Sequence, residues 1–156
     1  MPSFDLLLQP RIVDPDPDGP IRRLFQLALK VQVECSPGDF QEVKFVFDTG
    51  AMYTLMSATR ARSIGVRFPA ATSRLGMMTA AGGRAGRVHD GELRVRFPQL
   101  PGRVVRLYCV FAEDVPPAVP PVFGLNDFLD VFRVALDGTP RAAAPFGRAT
   151  FEALAD

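Results

Sequence analysis

Apolar and polar residues alternate with a period of two along several stretches of this chain, the spacing that lines one face of a β-strand. "LKVQVEC" (29–35) alternates in this way and predicts a strand over 22–34. "SPGD" turns the chain, and "FQEVKFVF" returns as a second strand. In it Val43, Phe45 and Phe47 share one face, which leaves Val46 and Asp48 on the other. "GELRVRF" (91–97) sets Leu93, Val95 and Phe97 inward and Glu92, Arg94 and Arg96 outward, and "RVVRLYCVF" (103–111) reads as the next strand.

Between these runs lie signals of other kinds. Ser57 is placed to cap a short helix, "ATRARSI", closed by Gly65. "MMTAAGGRAGRV" (77–88) reads as a hairpin whose tip takes its positive φ from Gly82 and Gly83. "VFGLNDFLDVF" (122–132) predicts a strand running into a short helix, and "RVALDG" and "RATFEAL" predict a closing hairpin. The prolines of "RIVDPDPDGP" (11–20) argue for a loop, and "DVPPAVPP" (114–121) is an extended connection. His89, just ahead of "DGE", reads as a surface residue at a strand start. No internal repeat is visible. The expectation is an all-β fold with one or two short helices: an N-terminal extension or loop over 1–21 and a single domain over 22–156.

Composition agrees with this picture. The 156 residues are 47% apolar, enough for one well-buried core. Fifteen prolines and thirteen glycines imply short elements joined by many turns. No apolar run approaches the roughly 18 residues of a membrane span. "MPSFDLLLQP" lacks the basic start and long apolar stretch of a signal peptide, so the expectation is a cytoplasmic protein with no membrane partner. Cys35 and Cys109 sit in apolar, strand-like surroundings and read as buried free thiols.

The net charge of +1 is unevenly spread: residues 58–110 carry ten arginines against only Asp90 and Glu92. A nucleic-acid partner would prefer clustered cations. These arginines are spaced singly among apolar residues, as on exposed strand faces, and argue against one.

The chemistry concentrates at 45–57, "FVFDTGAMYTLMS", where an apolar strand runs into Asp48 and an apolar stretch follows. A buried carboxylate is costly without a partner, so such a residue usually has a partner or a role. A serine triad or Cys–His pair would have to use the single histidine, and a multi-histidine metal site is excluded. Three chemistries place Asp, Thr and Gly after a strand. Phosphorylated-aspartate pumps put a lysine between Asp and Thr, which this chain lacks. Sugar-kinase and actin-type ATPases need two lobes and a second phosphate loop. Aspartic peptidases hold their catalytic carboxylate on such a loop. The tripeptide alone decides nothing, because short matches arise by chance.

Order and spacing add specificity. From about Val43 to Asp137 the chain resembles the retropepsin-like aspartic proteases, the family of the single-domain retroviral proteases and their relatives. "FVFDTGAMYTLMS" is similar to the catalytic loop, "MMTAAGGRAGRV" to the flap hairpin, and "VFGLNDFL" to the family's second signature. The resemblance implies a closed acid-protease barrel with a flap. It departs from the retroviral pattern at Met52 and Leu125, where a pairing acid and arginine are both replaced.

What the resemblance implies is an aspartic endopeptidase without metal or organic cofactor. With one Asp-Thr-Gly per chain, a homodimer would supply the second Asp48. Asp48, Thr49 and Gly50 would form the catalytic loop. Ala51, Met52, Val122 and Phe123, with flap-tip residues Ala81, Gly82 and Gly83, would bind the peptide. Arg84 and Arg87 beside the tip would favour acidic groups further along it. Ala51, unable to donate a side-chain hydrogen bond to the dyad, implies a working pH nearer neutral than pepsin's. The rival reading is a catalytically silent domain of the same fold, used for dimerisation or peptide binding.

Overall fold

The computed structural model describes residues 2–12, 23–70, 77–78 and 84–154. Near the start of the chain, β1 (Ser3–Leu7) and β2 (Gln9–Ile12) are strands. Arg11 and Ile12, expected in a proline–aspartate loop, therefore pair in a sheet, and the rest of that loop lies outside the described residues. The predicted hairpin follows as β3 (Arg23–Ser36) and β4 (Asp39–Phe47). Then come β5 (Thr54–Ser57) and α1 (Ala58–Ser63), capped as expected: the Ser57 hydroxyl accepts from the Arg60 N–H, and Gly65 ends the turn at φ +85°.

Two short strands, β6 (Met77–Met78) and β7 (Arg84–Ala85), pair antiparallel at the predicted hairpin; 79–83 lies outside the described residues. β8 (Val88–Arg96) begins three residues ahead of the predicted strand, and β9 (Val104–Ala112) matches its prediction closely. The predicted strand-to-helix passage is β10 (Val122–Phe123) and α2 (Phe128–Val131), and β11 (Phe132–Asp137) and β12 (Arg148–Ala153) form the closing hairpin.

Pairing runs β3–β4–β10–β5–β9–β8 and returns to β3 through Gln32↔Arg96 and Val33↔Val95, so the ladder closes on itself. A closed ladder leaves fewer backbone donors and acceptors for other chains to pair with. A separate three-stranded sheet, β1–β12–β11, joins the two ends of the chain, with Phe4 opposite Phe151.

The core fills the ring with aromatic rings. Phe45 stacks on Phe123 with centroids 4.1 Å apart, and Phe97, Phe128, Phe132 and Phe151 pack edge-on and tilted around them. Val43, Phe45 and Phe47 are all buried, and Val46 and Asp48 are half-buried, as the alternation predicts. Each such phenylalanine stabilises by about 1.5–3 kcal/mol through burial, so this face fixes the register of β4 and hence where Asp48 emerges.

Candidate active site

Asp48 stands one residue past the end of β4, on the face turned from the phenylalanine core. Its backbone is fixed by a strand distant in sequence. Val46 N–H donates to the Pro121 carbonyl at 2.9 Å, and Asp48 N–H to the Phe123 carbonyl at 3.1 Å, extending the parallel pairing of β4 with β10. The chain then turns tightly. Ala51 N–H donates to the Asp48 carbonyl at 3.1 Å, and Gly50 N–H to Asp48 Oδ1 at 2.8 Å. A Cβ at position 50 would stand 3.2 Å from that oxygen, so a side chain there would crowd the carboxylate.

The second arm meets the first just beyond. Leu125 N–H donates to the Ala51 carbonyl and Asn126 N–H to the Met52 carbonyl, both at 2.8 Å. Between β10 and these bonds the chain crosses the backbone of Tyr53 at Gly124. A Cβ on Gly124 would lie 2.4 Å from the Tyr53 carbonyl carbon and oxygen, closer than any side chain can approach. The two arms are therefore stitched together by backbone hydrogen bonds, and a glycine makes the crossing possible. The product is one carboxylate, its Oδ1 pinned by a backbone donor, beside the exposed Thr49 and Gly50. A backbone N–H on a carboxylate oxygen favours the ionised form and fixes its orientation.

Asp48, Thr49, Gly50, Ala51 and Met52 thus form one surface, with half-buried Val122 on the adjoining strand. Phe123 does not join them. It is fully buried and stacked on Phe45, because alternation along β10 turns it inward as it turns Val122 outward, so its expected place in a cleft wall is corrected. Ala81, Gly82 and Gly83 lie outside the described residues. The two departures part company: Leu125 packs against the main core, whereas Met52 is 63% exposed.

Other features had no local signature in the sequence. Tyr53 and Tyr108 meet edge to face at 5.4 Å, over a small apolar cluster that includes Val88, Val110 and Val115. The Asp127 carboxylate accepts from the Tyr108 N–H, tying the second arm to β9. Asp127 holds a φ of +56°, a conformation that aspartate and asparagine tolerate better than most residues. His89 is not at the surface: it is 6% exposed and hydrogen-bonded at both ring nitrogens. Among the described residues no group of three or more histidine, cysteine, aspartate or glutamate side chains is arranged to hold a metal ion.

Comparison with known proteins points in one direction. The family model described as "Aspartyl protease" matches residues 31–119, more than half of the chain. The fold is similar to that of a retropepsin-like aspartic protease from Rickettsia conorii, with a TM-score of 0.57 at 12% identity, covering 96% of this chain and 89% of that one. No curated protein matches the sequence.

Proposed function

Because the chain belongs to the aspartyl protease family, we propose that it is an aspartic endopeptidase in which Asp48 of two copies meets across a two-fold axis. The observation that carries this reading is the stitched loop, which holds a single oriented carboxylate at the surface of a chain containing one Asp-Thr-Gly. A two-fold axis beside Asp48 brings in the second carboxylate without any further residue.

Two carboxylates a few ångströms apart do not both ionise, so the pair shares one proton, as aspartic-protease dyads do. The ionised Asp48 takes a proton from a water held between the two groups, and the oxygen of that water forms the new bond to the scissile carbonyl carbon. The protonated Asp48 donates to the carbonyl oxygen as charge develops there. Collapse of the tetrahedral intermediate breaks the C–N bond, and a proton from the dyad passes to the leaving amine. The Gly50 N–H keeps Oδ1 in place throughout, and the Thr49 hydroxyl reaches across to the opposite loop. The β6–β7 hairpin covers an extended peptide whose backbone bonds to it as an added strand. Ala51 and Val122 give the cleft an apolar wall, and exposed Arg87 favours acidic groups further along the substrate.

The test is incubation of wild type and Asp48→Asn with an unstructured protein at several pH values, alongside sedimentation to determine the oligomer. Cleavage by a wild-type dimer near neutral pH, abolished in Asp48→Asn, is expected. Equal inertness of two folded dimers would favour a non-catalytic peptide-binding domain instead. Cleavage by a strict monomer would rule out the two-copy mechanism.

A further inference from the structure

The chain has one histidine, and the proposed mechanism does not use it. His89 is the second residue of β8, where the return arm of the hairpin enters the barrel. Its Nδ1 lies 2.8 Å from the Pro69 carbonyl oxygen, on the outgoing arm that leads towards the hairpin. Its Nε2 lies 2.5 Å from Glu113 Oε1, just past the end of β9. A carbonyl oxygen can only accept, and so can an ionised carboxylate. Hydrogen bonds from Arg62, and then from His89, hold the Glu113 carboxyl down to about 2, so this partner is ionised. Both ring nitrogens therefore face acceptors, and only the doubly protonated imidazolium satisfies both.

The surroundings bind both arms of the hairpin to the same turn. Arg62 on α1 grips Glu113 through Nη1 to Oε2 at 2.9 Å and through Nη2 to Oε1. Phe68, next to Pro69, stands edge-on to the His89 ring and stacks on Phe111 with centroids 4.4 Å apart. On the return arm, Gly86 N–H donates to Asp114 Oδ2 at 2.8 Å and the Arg87 carbonyl accepts from Glu113 N–H at 3.0 Å. The return arm is thus held by backbone bonds that do not titrate at the histidine. The outgoing arm is held at Pro69 by the imidazolium.

We propose that His89 and Glu113 are positioning residues for the hairpin, a histidinium–carboxylate latch that fixes the outgoing arm while the ring is protonated and releases it when the proton is lost. For the hairpin's part in peptide binding, the proposal rests on the function proposed above. A neutral ring has one N–H, so either Pro69 or Glu113 would face a lone pair and that bond would be lost. The charges around the ring oppose one another. Glu113 favours the imidazolium, while the Arg62 guanidinium, with Nη2 3.4 Å from Nε2, disfavours it. Asp90, next along β8, accepts from the Tyr108 hydroxyl. The latched state is present at pH below the titration midpoint of His89 and is lost as pH rises through it.

The experiment uses full-length Asp48→Asn protein, which keeps the readout independent of catalysis. The single histidine gives one unambiguous set of imidazole NMR signals, followed across pH beside amide exchange of residues 66–88 corrected for intrinsic rates. Both ring nitrogens should carry protons at low pH. Protection of 66–70 should then fall about tenfold or more, the order expected for one lost charge-assisted bond, with the same midpoint as the ring. Glu113→Gln should move both midpoints together to lower pH, and His89→Gln should leave 66–70 poorly protected at every pH. A ring that is neutral throughout, or protection that does not change while the ring titrates, would overturn the proposal. Should His89→Gln fail to fold, the paired midpoints of the Glu113→Gln protein decide the matter alone. In protein with Asp48 intact, KM for peptide should rise through that midpoint with kcat changing less. If that protein cleaves nothing, the peptidase reading fails, and the latch is still judged by exchange.

Discussion

Replacing Gly124 by alanine adds one methyl group where the two arms of the active-site loop cross. That Cβ would stand 2.4 Å from the carbonyl carbon and oxygen of Tyr53 and 2.6 Å from its nitrogen, against an ordinary contact distance that begins near 3.4 Å. The arms must separate by about 1 Å, and the obstacle is backbone, which cannot rotate aside as a side chain would. Overpacking of this kind costs about 1–3 kcal/mol. The separation also strains the inter-arm bonds Leu125 N–H to Ala51 and Asn126 N–H to Met52. Losing both adds about 2 kcal/mol, at about 1 kcal/mol net each. The expected total of about 3–5 kcal/mol is a large share of the roughly 5–15 kcal/mol that keeps a domain folded. Urea unfolding at one fixed protein concentration measures it, since association would otherwise shift the midpoint. With a slope of about 1–3 kcal/mol per molar urea, the midpoint should drop by at least about 1 M. Gly138→Ala is the control, because nothing lies within 4 Å of a Cβ there. A Gly124→Ala midpoint indistinguishable from that of Gly138→Ala would refute the close crossing, and with it the account of how Asp48 is held.

Three further outcomes follow from the same geometry. Asp127→Ala should destabilise by about 1–3 kcal/mol in urea unfolding, because the Tyr108 N–H loses its acceptor. Asp127→Asn keeps an acceptor and tolerates the φ of +56°, so it should cost markedly less. The Glu113 carboxyl falls from an ordinary 4.5 to about 2 on folding, so its contribution is fully present above pH 4.5 and is lost as pH falls toward 2. The difference in urea midpoint between wild type and Glu113→Gln should therefore shrink over that window, and a constant difference would argue against the ion pair. Burial pushes the thiols of Cys35 and Cys109 up, and most strongly Cys109. A thiol reagent at neutral pH should label Cys109 only as fast as the protein unfolds, and rapid labelling of the native state would contradict its burial.

Much of this fold is legible in local pattern. Alternation placed Val43, Phe45 and Phe47 inward and Asp48 on the opposite face, because a strand's two-residue period needs no knowledge of its neighbours. Ser57 and Gly65 marked the ends of α1 because caps and positive φ are local demands. Phe123 was misplaced for a related reason: two residues are too few to reveal which faces the core, and the stacking partner that decides it, Phe45, lies 78 positions away. His89 was misread because its partners, Pro69, Arg62 and Glu113, come from three different segments.

By itself, then, the sequence determined the strands, their inward faces and the two loops that carry Asp48 and Gly124. Tertiary structure alone decided how those loops interlock, which side chains their crossing buries, and that the one histidine is enclosed between a carbonyl and a carboxylate. The physical reason is range. Strand faces and caps follow from interactions within a few residues, whereas a backbone crossing or an imidazole with two acceptors exists only once distant segments are packed together.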